Sequence, residues 1–434
     1  MHIFFSGVGG AAIGPLALIA KQAGYEVSGS DARDSASIEH LRSLSISDIH
    51  IGQTAEAIAA VHTAKPIDWY VYSSALPKDD PNHPELAFAR AHKIKATKRD
   101  ELLNQIITDH KLKLIAIAGT HGKTTTTAMA VWLFQQLGIK ISYSVGAKLS
   151  FGEMGHFEPG SQFFIYEADE YDRNFLQFRP QLSLITGLDW DHADVYPTRQ
   201  DYEQAFRQFL GQSQLAVLWQ SDFKKLALKP GVHQLLLTDN DPAIDKKLKL
   251  TGHVNRLNAW LSAHGLEALL GQPVDKLLEL LNNFPSLGRR FEPIADNLYS
   301  DYAHTPPKIR GALATAEEVA PGKVVVIYEG LHNTRQHFIK DELKNLFDEV
   351  KHLYLIPSYL AREDRSLPLL SPSELVELLS PMARHKAQPA RLDDKLAETI
   401  EHHRQRGDLV LALSAGGGGS LDEWLRSHFP APKT

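Results

Sequence analysis

The residues with the clearest chemistry are Gly119-Thr120-His121-Gly122-Lys123-Thr124-Thr125. The two glycines let the backbone curl so that successive N–H groups converge on one point, and Lys123 adds a mobile cation. Such a loop cradles polyphosphate. The Thr124 hydroxyl stands where loops of this kind hold a magnesium ion. In the general pattern G-x-x-x-x-G-K-[ST] a first glycine would fall at position 117. Ile117 stands there, so the match is to the shorter G-T-H-G-K-T form. A bare G-K-T also occurs in ordinary loops. Placement between the apolar run Leu112 to Ala118 and a helical pattern from about Thr125 to Leu137 selects the phosphate reading.

Acids gather at two other strand ends. Phe163 to Tyr166 reads as a strand running into Glu167-Ala168-Asp169-Glu170-Tyr171-Asp172, four acids in six residues, which repel one another unless a cation is near. The stretch is either a solvated turn or the carboxylate that meets Mg²⁺ across from a phosphate loop. Leu182 to Leu188 leads into Asp189-Trp190-Asp191-His192-Ala193-Asp194. With no second histidine nearby, His192 among carboxylates suits a hard, oxygen-preferring metal better than zinc. After Gly252, Asn255 and Asn258 fall on one helical face, as an adenine contact or as a polar helix start. Arg289 and Arg290 stand together, a pairing that is usually solvated.

These groups must be carried by strands and helices that alternate along the whole chain. The first unit opens with strand, glycine turn and helix, reading Gly7, Gly9, Gly10 and Gly14, off the spacing of G-x-G-x-x-G. A second strand ends at Asp31, where a dinucleotide fold would place an acid on ribose hydroxyls. A third, Trp69 to Tyr72, stops at Ser73-Ser74-Ala75. By residues alone this is a nucleotide site or a structural turn. The fold class expected is α/β in three domains. Residues 1–98 form a Rossmann-like domain, 99–284 a P-loop ATPase-type central domain and 285–434 a second Rossmann-like domain.

Composition sets the outer bounds. At 434 residues the chain suits roughly two to four domains. A net charge of −6 with no basic run argues against nucleic acid or an anionic membrane surface as partner. There is no cysteine, hence no disulfide, thiolate nucleophile or Cys-ligated metal. Met1 leads almost directly into a strand-like run, and no stretch of about 18 apolar residues occurs, so neither a leader nor a membrane span is expected. These features suit a cytoplasmic protein.

The glycine turn, A-G-T-H-G-K-T-T-T-T from Ala118 and D-Y-A-H-T-P from Asp301, in that order, resemble the Mur ligase family of ATP-dependent, ADP-forming amide ligases of peptidoglycan precursor synthesis. Within it, Gly7-Val8-Gly9-Gly10, Gly29-Ser30-Asp31 and Ser73-Ser74-Ala75 are similar to members that act on UDP-N-acetylmuramate. The resemblance implies that Gly119, Thr120, His121, Gly122, Lys123, Thr124 and Thr125 hold the ATP phosphates, with Thr124 on Mg²⁺. Glu167 and His192 would hold a second Mg²⁺ or its waters. Asn255 and Asn258 would meet adenine, Arg290 the phosphates and Asp301 the ribose. His304 would approach the incoming amine. Gly7, Gly9, Gly10, Asp31, Ser73 and Ser74 would bind the nucleotide sugar, and His332 and Arg335, with His304, the acceptor.

The reaction implied joins the lactyl carboxylate of UDP-N-acetylmuramate to L-alanine. A recycling reaction that adds the L-Ala-γ-D-Glu-diaminopimelate tripeptide is the alternative, favoured by Asn333-Thr334 and Trp190 to Asp194. Ser73 to Ala75 and Lys98-Arg99-Asp100-Glu101-Leu102-Leu103 favour the L-alanine reading. A catalytically silent nucleotide-binding regulator is the rival from another class. A monomer or weak dimer is expected. The stretch from Tyr202 to Gly252 is short for the family and is expected to hold little more than a helix and two strand-like runs.

Overall fold

Short apolar runs become buried parallel strands, and the amphipathic segments between them become the covering helices. The computed structural model describes residues 1–434 except 74, 75, 77–79, 81, 193, 194, 232, 286, 361, 362, 365 and 430–434. Ser74, Ala75, Ala193 and Asp194 therefore lie outside the described residues. By its contacts the chain divides into two compact units, one of residues 1–248 and 257–284 and one of 249–256 and 285–434.

The first unit holds two sheets. β1 (His2–Ser6), β2 (Glu26–Asp31), β3 (Ile49–Ile51), β4 (Trp69–Tyr72) and β5 (Lys95–Lys98) form a parallel sheet in the order β3-β2-β1-β4-β5. Chain direction across the sheet reverses between β1 and β4, which opens a crevice at their C-terminal ends. The glycine turn follows β1 there, and Ser73 follows β4.

The second sheet comprises β6 (Lys113–Ala118), β7 (Ile141–Ser144), β8 (Gly155–His156), β9 (Phe163–Glu167), β10 (Leu182–Ile185), β11 (Leu215–Trp219) and β12 (Gln234–Leu237). Their order is β12-β11-β10-β6-β9-β7-β8, with only β8 antiparallel to its neighbour. β6 is central. Its register pairs Ile117 with Glu167 of β9 and Ala118 with Ile185 of β10, so the phosphate loop and both acidic stretches emerge on one edge. The helix Lys123–Gln136 that follows is buried along most of its length, because the sheet covers one side and helix Val274–Leu281 packs on another.

One apolar cluster runs from Leu16 and Ile19 through Leu102 and Ile106 to Phe164 and Phe206, joining the layers beneath both sheets. Each such side chain contributes about 1.5–3 kcal/mol by leaving water. Between Tyr202 and Gly252 the structure is richer than expected. Helices Gln220–Lys225 and Ala243–Lys247 are added to the helix and two strands, each too short to show a helical period.

The other unit carries β13 (Glu292–Ala295), β14 (Leu298–Asp301), β15 (Val324–Leu331), β16 (His352–Tyr359), β17 (Ala387–Pro389) and β18 (Leu409–Leu413) in the order β13-β14-β18-β15-β16-β17. All neighbours are parallel except β13 and β14. Apolar clusters lie on both faces, one around Val326 and Leu411 and the other around Ile327 and Val410, as alternation along β15 and β18 requires.

Candidate active site

Gly122 is the N-cap of helix Lys123–Gln136, at φ 76°, with no side-chain cap and no acid in the first helical turn. The first N–H groups are thus left for a ligand anion. A Cβ at Gly122 would stand 2.5 Å from Asn258 Oδ1, so only glycine fits there. Thr120 and His121 anchor the loop. Thr120 Oγ1 donates to the Asp189 carbonyl (2.6 Å) and accepts from the Tyr202 hydroxyl (2.7 Å), while His121 Nε2 is 2.8 Å from Asp189 Oδ2. Both side chains are spent on protein contacts, leaving their backbone for phosphate.

Lys123 Nζ donates to the Gly119 carbonyl (2.6 Å) and to Glu170 Oε1 (2.9 Å). Burial lowers its pKa, but Glu170, Asp169 and Glu167 outweigh that and hold it above the ordinary value. Glu170 is 1% exposed; burial raises its pKa, yet Lys123 and His192 bring it below the usual carboxylate range. Thr124 Oγ1 donates to Glu167 Oε1 (2.8 Å), whose other oxygen accepts the Gly146 N–H at 2.7 Å. His192, at φ 57°, brings Nε2 to 3.7 Å from Glu170 Oε1. Its pKa is lowered by burial and raised by Glu170 and Asp191, with a net rise. Glu170 joins the site without belonging to any of the motifs. Its signal was its place in the four-acid run.

Thr124 and Glu167 set two hard oxygens side by side. That fits a magnesium ion whose remaining ligands are phosphates and water. His192 faces Glu170 instead of Glu167, and among the described residues no trio of His, Asp or Glu is placed to hold a metal by itself.

Asn255 and Asn258 part company. Asn258 is buried against Gly122, whereas Asn255 Nδ2 caps back onto the Thr251 carbonyl (2.9 Å) and belongs by contacts to the other unit. In the first sheet, the Gly9 N–H donates to Asp31 Oδ2 (2.9 Å), and the Gly7 and Val8 N–H groups donate to the Ser30 carbonyl. Asp31 thus already braces the glycine turn. The Gly10 N–H closes the turn on the Gly7 carbonyl. Ser73 is partly exposed at the same edge.

In the second unit the arginine pair is not freely solvated. Arg289 and Arg290 lie over the Tyr302 ring at 4.7 and 4.9 Å, and Arg289 Nη2 donates to the Ser414 carbonyl. Asp301 accepts the Phe291 N–H at 2.8 Å; burial pushes its pKa up to about 6 against the pull of Arg290. His304 is buried. Its Nδ1–H donates to the Tyr302 carbonyl (2.9 Å), and burial with Lys308, Arg335 and Arg290 holds the ring well below the ordinary histidine range. A neutral ring so bonded leaves Nε2 as an acceptor. His332, at φ 58°, lies between β15 and helix Asn333–Leu343. Thr334 gives its N–H and hydroxyl to Glu363, and Asn333 bonds the Pro368 carbonyl and the Leu370 N–H. Arg335 is half-buried and makes no ion pair among the described residues.

Three parts of the chain match descriptions of one family: residues 2–111 the Mur ligase family catalytic domain, 117–260 the Mur ligase middle domain and 289–416 the Mur ligase glutamate ligase domain. The UDP-N-acetylmuramate–L-alanine ligase of Renibacterium salmoninarum is 31% identical, over 96% of this chain and 93% of that protein. The chain belongs to the Mur ligase family. It is an ATP-dependent amide ligase of three α/β domains, as the order of the glycine turn, phosphate loop and D-Y-A-H-T-P stretch implied.

The similarly named protein of Symbiobacterium thermophilum is also 31% identical, over 95% of this chain and 92% of that one. Among solved structures, the UDP-N-acetylmuramate–alanine ligase of Thermotoga maritima superposes with a TM-score of 0.75 at 24% identity, covering 99% of this chain and 98% of that one. A murein peptide ligase of Psychrobacter arcticus gives 0.66 at 21%, over 100% of both chains. These two likenesses speak to the fold. Among the described residues, no helix of this Mur ligase is long and apolar enough to cross a membrane.

Proposed function

We infer that this Mur ligase joins the lactyl carboxylate of UDP-N-acetylmuramate to the amine of L-alanine through an acyl phosphate, as a cytoplasmic monomer or weak dimer. The observation that carries the reading is the Lys123–Thr124–Glu167 edge, in a chain whose relatives over 95% or more of its length bear that name. We assign residues 1–98 to the nucleotide sugar, 99–284 to ATP and 285–434 to the acceptor.

A carboxylate does not acylate an amine at neutral pH, so it must first attack the γ-phosphorus and release ADP. Both reactants are anionic. Lys123 would exchange Glu170 for the β/γ-phosphates, with the backbone of Gly119 to Thr125 around them and Asn258 at the adenine side. Asn255, Arg290 and Asp301 are assigned to the same nucleotide. Thr124 and Glu167 would hold Mg²⁺, which when bound neutralises phosphate charge. His192 is retained as a ligand of a second ion or its waters.

The amine then attacks the acyl carbon, phosphate leaves, and the ammonium formed must lose a proton. His304 Nε2, neutral and unprotonated, suits that proton. Arg335, aided by His332, would bind the acceptor's carboxylate. Gly7, Gly9, Gly10, Asp31, Ser73 and Ser74 would take the nucleotide sugar.

A second reading has its own support. The Asn333-Thr334 pair, next to Arg335 in the stretch Leu331 to Arg335, favours the tripeptide acceptor. The test is ADP release with UDP-N-acetylmuramate, ATP and Mg²⁺, comparing L-alanine, glycine, L-serine and L-Ala-γ-D-Glu-diaminopimelate. Turnover with L-alanine is expected. Turnover with the tripeptide alone would transfer the assignment to recycling.

A further inference from the structure

The segment from Tyr166 to Asp172 divides its side chains by threes. The Tyr166 hydroxyl donates to Asp100 Oδ1 (2.7 Å), Asp169 Oδ2 accepts from Arg99 Nη2 (3.0 Å), and Asp172 pairs with the Lys98 ammonium. Glu167 and Glu170, in the gaps, turn the other way to Thr124 and Lys123. Three consecutive residues at the start of helix Arg99–Asp109 therefore hold one side of the acidic run, and the phosphate loop takes the other.

The run's own backbone does little to fix this division. Past β9 it is an irregular 3₁₀ stretch, with Asp172 and Arg173 at φ 54° and 57°. Four neighbouring carboxylates would otherwise repel one another into several arrangements. With the clamp in place each has its own donor. Asp100, 1% exposed and 3.5 Å from Arg99 Nε, fixes the arginine in turn. Lys98 is also the register partner of Tyr72, one residue before Ser73, so the clamp is rooted in the edge of the first sheet.

We propose that Lys98, Arg99 and Asp100 are positioning residues that aim Glu167 and Glu170 at the phosphate loop, and so set the affinity for metal-bound nucleotide. This rests on the reading of Lys123, Thr124 and Glu167 as the nucleotide and metal site. If the three residues only bolted the two sheets together, their loss would change stability and not ligand affinity.

The experiment is calorimetric titration of the intact protein with ADP across a Mg²⁺ series, with melting temperatures, for Arg99→Met, Arg99→Lys, Asp172→Asn and Glu167→Ala. Arg99→Met is expected to weaken Mg²⁺-dependent binding by about 10- to 100-fold, as loss of groups that orient metal ligands does. Arg99→Lys should recover part of the loss. Asp172→Asn should lose less, since asparagine tolerates the left-handed backbone, and binding without Mg²⁺ should change little. Wild-type titrations for folded Arg99→Met and Asp172→Asn, beside a weakened Glu167→Ala, would overturn the clamp alone. An unchanged Glu167→Ala would overturn the site reading and the clamp with it. Should Arg99→Met fail to fold, Asp172→Asn, at a partly exposed position, decides.

Discussion

The phosphate-loop edge of the second sheet and the His304 edge of the third are charged in opposite ways. At the first, three cations are each paired with a carboxylate: Lys123 on Glu170, Arg99 on Asp169, Lys98 on Asp172. His192 there is held toward its protonated form. At the second, His304 is driven neutral by burial and by Lys308, Arg335 and Arg290, and Arg335 has no ion pair among the described residues. A self-neutralised edge admits a ligand that is polyanionic yet brings its own cation, because the ligand must replace Glu170 on Lys123. An edge where Arg335 has no ion pair among the described residues admits a plain anion, such as an amino acid's carboxylate.

The largest expected effect breaks the first half of the comparison. Lys123→Ala should cut ADP release by at least about 100-fold, the scale of losing one charge-stabilising donor, with an unchanged circular dichroism spectrum. Near-normal turnover by the folded variant would mean that the loop does not carry the chemistry. Next, Arg335→Ala should raise the KM for the amino acid roughly 10- to 100-fold and leave the KM for ATP in place, since a charge-assisted pair contributes about 1.5–3 kcal/mol. A rise in both constants would erase the distinction between the edges.

The smallest effect sharpens the second half. The folded-state pKa of Asp301, about 6, lies above the usual aspartate value. The stability it contributes is full below about pH 4 and is lost as pH rises through about 6. His304 has the opposite sign, losing stability as pH falls below about 6.5, but it is common to both proteins in the comparison. Asp301→Asn should therefore gain on the parent between pH 4.5 and 7.5, by on the order of 2–3 kcal/mol at most, read from denaturant midpoints. A constant offset at both pH values would show that Asp301 does not titrate in this window.

The sequence disclosed what is local and periodic. Trp69 to Tyr72 is a strand to the residue, and Gly119 to Lys123 turns from strand to helix where the glycines said it would. β5 escaped because Lys95-Ala96-Thr97-Lys98 carries no apolar alternation, as suits an edge strand. Partnership across the chain was hidden as well. The pairing of Lys123 with Glu170, beside its bond to the Gly119 carbonyl in its own loop, depends on the β6–β9 register, and that register is set by packing. Asn255 and Asn258 share helix His253–Leu270 as their spacing implied, but spacing cannot report that Asn258 packs on Gly122 while Asn255 turns back to the Thr251 carbonyl.

Two of the histidines proposed for the site, His192 and His332, sit on backbone of positive φ. Glycine would be more comfortable at either position, above all at His332, whose ψ of 129° lies outside the left-handed helical well. Each imidazole is therefore kept against a standing gradient that favours its replacement, worth up to about 1–2 kcal/mol. In a lineage that no longer needs the reaction, these positions should drift first, toward glycine, while the buried strands stay as they are. On the roles proposed above, their retention in a descendant chain would record that the activity is still under selection.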